Sequence, residues 1–119
     1  MSVESGSAAI VLDLDGTLAR FGGDRDLFVE LTTMLLEDAP NLFADVRRAA
    51  DANDAAAVEG RAHALKGLLL NCGGVRAAKV AQQLEDAAHS GRITRGPELV
   101  DSLEDELRLL TEAIHNCRS

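Results

Sequence analysis

The chain predicts an all-α fold: an antiparallel up-down four-helix bundle with a short additional helix at the N-terminus. Three observations predict it. Four long segments repeat their apolar residues at helical spacing, Gly or Asn/Asp turn signals separate them, and no segment alternates polar with apolar residues over strand length. Three phenylalanines with no tryptophan or tyrosine leave Leu, Val, Ile and Ala to pack the interior, as helical bundles commonly do.

Residues 1–8, Met-Ser-Val-Glu-Ser-Gly-Ser-Ala, are small and polar and read as a flexible leader, with residues 9–119 forming one domain. Residues 9–20 make a short apolar helix that ends before Gly22-Gly23. Asp24 then caps a long helix whose apolar positions Leu27, Phe28, Leu31, Leu35, Leu42, Phe43 and Val46 keep helical spacing to about residue 51, with Pro40 bending it. Asp51-Ala-Asn-Asp54 supplies a turn and the next N-cap. The following helix runs to about Cys72 and stops at Gly73-Gly74. Val75 to His89 carries Ala77, Val80, Ala81, Leu84, Ala87 and Ala88 on one stripe and ends at Ser90-Gly91. After a loop with Gly96-Pro97, the last helix spans Pro97 to about Asn116 and places Val100, Leu103, Leu107, Leu110, Ile114 and Cys117 in heptad-like order.

Composition excludes several function classes. A chain of 119 residues has room for one domain and none for a nucleotide-binding module, and it holds no Gly-rich nucleotide loop. Twenty acidic against twelve basic residues, a net charge of −8, argue against nucleic acid and against anionic membranes. With no apolar run of about 18 residues and no signal-like start, the chain reads as a soluble, cytoplasmic monomer whose partners are proteins. Cys72 and Cys117 sit at apolar helix positions and read as small buried hydrophobes; no Cys or His pair has zinc-ligand spacing, so no metal site is expected.

The chemistry is carried by His63. Val58, Ala62, Leu65, Leu69 and Cys72 follow a 4-3-4-3 spacing, which at about 100° per residue gathers all five within roughly 40° of one direction. His63 falls about 140° away from that buried stripe and looks outward. Gly60, Gly67, Ala56 and Leu70 surround it, with Glu59 and Lys66 on its flanks. Each glycine in a helix interior costs roughly 1 kcal/mol against alanine, so a pair of them beside an exposed histidine points to close approach by another molecule. Lys66, one turn on, is placed to neutralise an anion. Bare surface, imidazole and lysine together suit a nucleophilic histidine that carries a phosphoryl group.

The segment His63-x-x-Lys66-Gly67, followed after five residues by Gly73, resembles the signature of histidine-containing phosphotransfer (HPt) domains, the carriers of two-component phosphorelays. The likeness continues through Asp13 to Asp24 with Leu27, Phe28 and Leu31, through Leu36-Glu-Asp-Ala-Pro40, the Asp51-to-Asp54 turn and Leu84-Glu85-x-x-Ala-x-x-Gly91. The family often has small residues after Lys-Gly, where this chain has Leu68-Leu69-Leu70, a departure that bears on partner specificity. The resemblance implies that His63 takes the phosphoryl group on Nε2, that Lys66 stabilises the phosphoryl oxygens and that Gly67 admits a loop of the partner. It further implies that Glu85, or failing it Gln82, accepts the Nδ1 proton and orients the ring. The partners implied are a response-regulator receiver domain and a sensor histidine kinase. No cofactor belongs to the chain itself, and Mg²⁺ is expected on the receiver. Docking is expected on Ala56, Gly60, Ala64, Gly67 and Leu70 with part of the preceding long helix. His89 and His115, near helix C-termini, are assigned no chemistry.

Two other readings stand beside this one. A non-catalytic helical interaction domain would keep the docking face without carrying phosphate; retention of His63 and Lys66 argues against it. Ile10-Val-Leu-Asp13-Leu-Asp15-Gly16-Thr17-Leu18 is similar to the first motif of haloacid dehalogenase-type phosphatases, where a strand delivers two aspartates. Such an enzyme needs a parallel sheet, and only helices follow residue 24, so Asp13 and Asp15 are expected to be solvated residues of the first helix.

Overall fold

A computed structural model describes residues 10–118 as five helices: α1 (Leu14–Arg20), α2 (Arg25–Asp51), α3 (Ala55–Asn71), α4 (Val75–His89) and α5 (Gly96–Arg118). No strand occurs among the described residues. The leader expected over residues 1–8 lies outside them.

The first three helices start on the same device. Asp13, Asp24 and Asp54 each stand just before a helix, and their carboxylates accept the backbone N–H three residues on, from Gly16, Leu27 and Ala57. Each such cap contributes on the order of 1 kcal/mol by satisfying a donor the helix leaves open. The turn into α3 needs a left-handed residue, and Asn53 takes it at φ 56°.

α3 buries the stripe that its spacing predicts. Val58, Ala62, Leu65, Leu69 and Cys72 are all fully enclosed, within one core shared with Leu35 and Val46 of α2, Ala81 and Leu84 of α4, and Val100, Leu103 and Ile114 of α5. Each large aliphatic so enclosed is worth roughly 1.5–3 kcal/mol. α2 packs on α3 and α5, and α4 packs on the same two helices. The alanines of α4 at 77, 78, 81 and 88 let it lie close to its neighbours.

α1 is joined to the corner between α3 and α4. The Asp13 N–H donates to Gly73 O at 2.8 Å, Thr17 Oγ1 donates to Asp13 O at 2.6 Å, and Arg20 donates to Leu70 O at 3.0 Å. Gly73, at φ 82°, is pressed so near that a β-carbon there would collide with the Thr17 side chain and stand 2.8 Å from Asp13 O.

Three expectations need correction. The first helix begins at Leu14, because the Asp13 N–H is spent on Gly73 and its carboxylate on Gly16; Asp13 is thus a half-buried cap, and only Asp15 is an exposed helical residue. Leu27 is 37% exposed, while Thr32 takes a core position one turn after Phe28. Thr32 tolerates burial because its hydroxyl donates to Phe28 O at 2.9 Å. Cys117 is half-buried rather than enclosed. The rejection of the phosphatase reading needs none: no strand occurs among the described residues, and the Asp13 carboxylate caps α1.

Candidate functional site

His63 sits near the middle of α3 on the side away from the core stripe, and its side chain is 67% exposed. Gly60 and Gly67 flank it on the same helix, with open space where a β-carbon would stand at either position. Ala56, Ala64 and Leu70 are exposed on α3 as well, so the expected docking residues share one accessible helix.

The ring is held from the next helix. α3 and α4 run antiparallel, which sets residue 63 opposite residue 85 and residue 59 opposite residue 89. The Nδ1 of His63 lies 3.0 Å from Glu85 Oε2. Glu85 Oε1, buried from water, faces the Lys66 ammonium at 2.8 Å. Lys66 also donates to Gln82 Oε1 at 2.7 Å, and Gln82 in turn donates to Asp86 Oδ1 at 2.7 Å. Gln82, Glu85, Asp86 and His89 recur at i, i+3, i+4 and i+7, so one face of α4 supplies every partner.

The charges fix what each atom does. The Lys66 ammonium, with the His63 ring behind it, holds the Glu85 carboxyl below its ordinary range against the burial that would raise it. Glu85 is therefore an anion near neutral pH and accepts only, so a neutral imidazole in this contact carries its proton on Nδ1 and its lone pair on Nε2. Lys66 keeps the flanking position read from the sequence, and there it is paired rather than solvated. Its side chain is only 18% exposed, with its ammonium against Glu85 of α4. Glu85, rather than Gln82, is the residue that meets the imidazole; Gln82 meets the lysine.

Sequence reasoning missed one pair. His89 Nδ1 lies 2.9 Å from Glu59 Oε2, one helical turn along the same seam. The signal was present as Glu-x-x-x-His in both helices, Glu59 to His63 and Glu85 to His89.

Among the described residues no group of His, Cys, Asp and Glu is arranged to hold a metal ion, and no helix is long and apolar enough to cross a membrane. The Hpt domain family model matches residues 30–116. The chain is similar to the crystal structure of histidine-containing phosphotransfer protein B (HptB) from Pseudomonas aeruginosa PAO1, with a TM-score of 0.81 and 29% identity, covering 92% of this chain and 96% of that one. No curated protein sequence matches.

Proposed function

The chain belongs to the Hpt domain family and is a phosphoryl carrier of a phosphorelay; from that premise we propose that His63 is the residue that carries the group. The observation that supports this most directly is the exposed imidazole whose Nδ1 is engaged by Glu85 at 3.0 Å, so that Nε2 is both nucleophilic and accessible. In the proposed step the Nε2 lone pair attacks phosphorus of an aspartyl phosphate on a receiver domain. The N–P bond forms, the P–O bond to the aspartate breaks, and the carboxylate leaves with the electron pair. The Nδ1 proton stays on the ring, where Glu85 offsets the positive charge that develops. The reverse step hands the phosphoryl group to a second receiver.

In this reading Lys66 supplies positive charge at the edge of the site, and Glu85 and Gln82 hold its ammonium in place. Gly67 leaves room for a partner loop, and Ala56, Gly60, Ala64 and Leu70 form the surface on which the receiver rests. Mg²⁺ is assigned to the receiver, and the first phosphoryl group to a sensor histidine kinase. The carrier is assigned to the cytoplasm as a monomer, and an antiparallel up-down arrangement of α2 to α5 is supported by the closed ring of helix packing and by the α3–α4 crossing pairs.

The test is transfer from a phosphorylated receiver domain. Phosphate labile in acid and stable in base should appear on the peptide that contains His63, and H63Q should lose it. A protein that binds the receiver yet takes no phosphate at His63 is an interaction domain alone.

A further inference from the structure

The pair formed by Glu59 and His89 repeats the His63 site. α3 carries Glu59-x-x-x-His63 and α4 carries Glu85-x-x-x-His89, each placing a glutamate and a histidine one turn apart on one helix face. Because the helices run antiparallel, each histidine meets the glutamate of the other. The atoms are the same in both pairs, Nδ1 on Oε2, at 3.0 Å for His63 and 2.9 Å for His89. A cation follows each histidine at the third position, Lys66 in one case and Arg92 in the other. The spacing of Glu, His and base is therefore present twice.

We propose that His89 is a second phosphoryl-accepting histidine, held by Glu59 as Glu85 holds His63. A carboxylate only accepts, so the Glu59 contact keeps the His89 proton on Nδ1 and leaves the lone pair on Nε2. Its side chain is 79% exposed, more than the 67% of His63, so a donor reaches the ring from solvent. Gly60, beside Glu59 on α3, adds open space along the same seam. The proposal rests on the phosphorelay reading only for the class of donor, a phosphoryl group on a good leaving group such as a carboxylate. In the step the His89 Nε2–P bond forms and the P–O bond of the acyl phosphate breaks, the carboxylate leaving with the electron pair. Glu59 balances the charge on the ring. The lysine that grips the α3–α4 seam at His63 has no counterpart within α4, because the helix ends at His89 and Arg92 lies beyond Gly91. Labelling at His89 is accordingly slower than at His63.

The test uses the full chain and phosphoramidate, a small donor that needs no partner; here the P–N bond of the donor breaks and ammonia leaves. Peptides are mapped by mass spectrometry at neutral pH, with N-acetylhistidine in the same solution as the reference. H63Q should take one phosphoryl group at His89, and H89Q one at His63. E59A should slow labelling of His89 about tenfold, the scale of loss when the carboxylate behind a metal-ligating histidine is removed, and leave the rate at His63 unchanged; E59Q, whose amide oxygen still accepts from Nδ1, should recover part of it. His89 labelling no faster than N-acetylhistidine, or a rate indifferent to E59A, overturns the proposal. The His63 reading fails separately, through absence of label at His63 in H89Q.

Discussion

Oε2 of Glu85 lies 3.0 Å from Nδ1 of His63, and the two residues are 22 positions apart on different helices. The same carboxylate turns its other oxygen to Lys66 at 2.8 Å, so one side chain of α4 positions both His63 and Lys66 of α3. The orientation of the proposed nucleophile is thus a property of helix packing: a shift of α4 by one residue would rotate Glu85 off the seam and free the ring.

Removing that carboxylate should cost rate more than fold. Glu85→Ala is expected to slow phosphoryl transfer from a receiver by about 10–100-fold, with the far-UV circular dichroism of the bundle retained. Glu85→Gln, whose amide oxygen still accepts from Nδ1, should recover part of the loss. Equal rates for the alanine variant and the parent protein would show that the contact does not orient the ring.

The Glu85 carboxyl titrates below its ordinary 4.5 in the folded protein, chiefly because of Lys66. A depressed folded value means that the unfolded chain binds the proton more readily. The stabilisation is therefore complete above the unfolded value and is lost as pH falls through the folded one. Thermal unfolding followed against pH should show the parent protein losing stability in this acid range faster than Glu85→Gln. Lys66→Ala should raise the Glu85 titration point, read by NMR of the carboxyl carbon.

Gly67 and Gly73 should respond in opposite directions to the same substitution. A methyl group at position 67 meets open space in a regular helix, so Gly67→Ala should stabilise the protein by up to about 1 kcal/mol. Gly67→Gln should fold and block transfer by filling the approach to His63. At Gly73 the backbone is left-handed and the space is taken by Thr17 and Asp13, so Gly73→Ala should lower the melting temperature and loosen α1. Normal transfer by Gly67→Gln would refute the role given to that glycine.

Cys72 is enclosed in the core, and burial pushes its thiol up to about 11. It should resist a thiol reagent such as DTNB in the folded protein and react only on unfolding, whereas the half-buried Cys117 should react first. Two equally fast thiols would mean that the end of α3 opens readily.

Much of the fold was legible because it rests on local rules. Aspartates before helices, glycines after them and a period near 3.6 place the limits of α2, α3 and α4 within a residue or two. The exposure of His63 follows from the same wheel that buries Val58, Ala62, Leu65, Leu69 and Cys72. The start of α1 was not legible: the Asp13 N–H is directed at Gly73, a partner 60 positions away, and no local pattern announces it. Leu27 was misplaced for a related reason, since periodicity names a face of a helix but not how far along it the neighbouring helix reaches.

Periodicity and capping act over a few residues, so the helices, the buried stripe of each and the outward position of His63 were readable along the chain alone. Helix packing was needed to bring Lys66 against Glu85 of α4, to set Glu85 rather than Gln82 on the imidazole, and to repeat the pair one turn away in Glu59 and His89. Those contacts depend on the register of two antiparallel helices. That register is set by the packing of Leu65 and Leu69 among Ala77, Ala81 and Leu84, a core whose interlocking no single helix specifies.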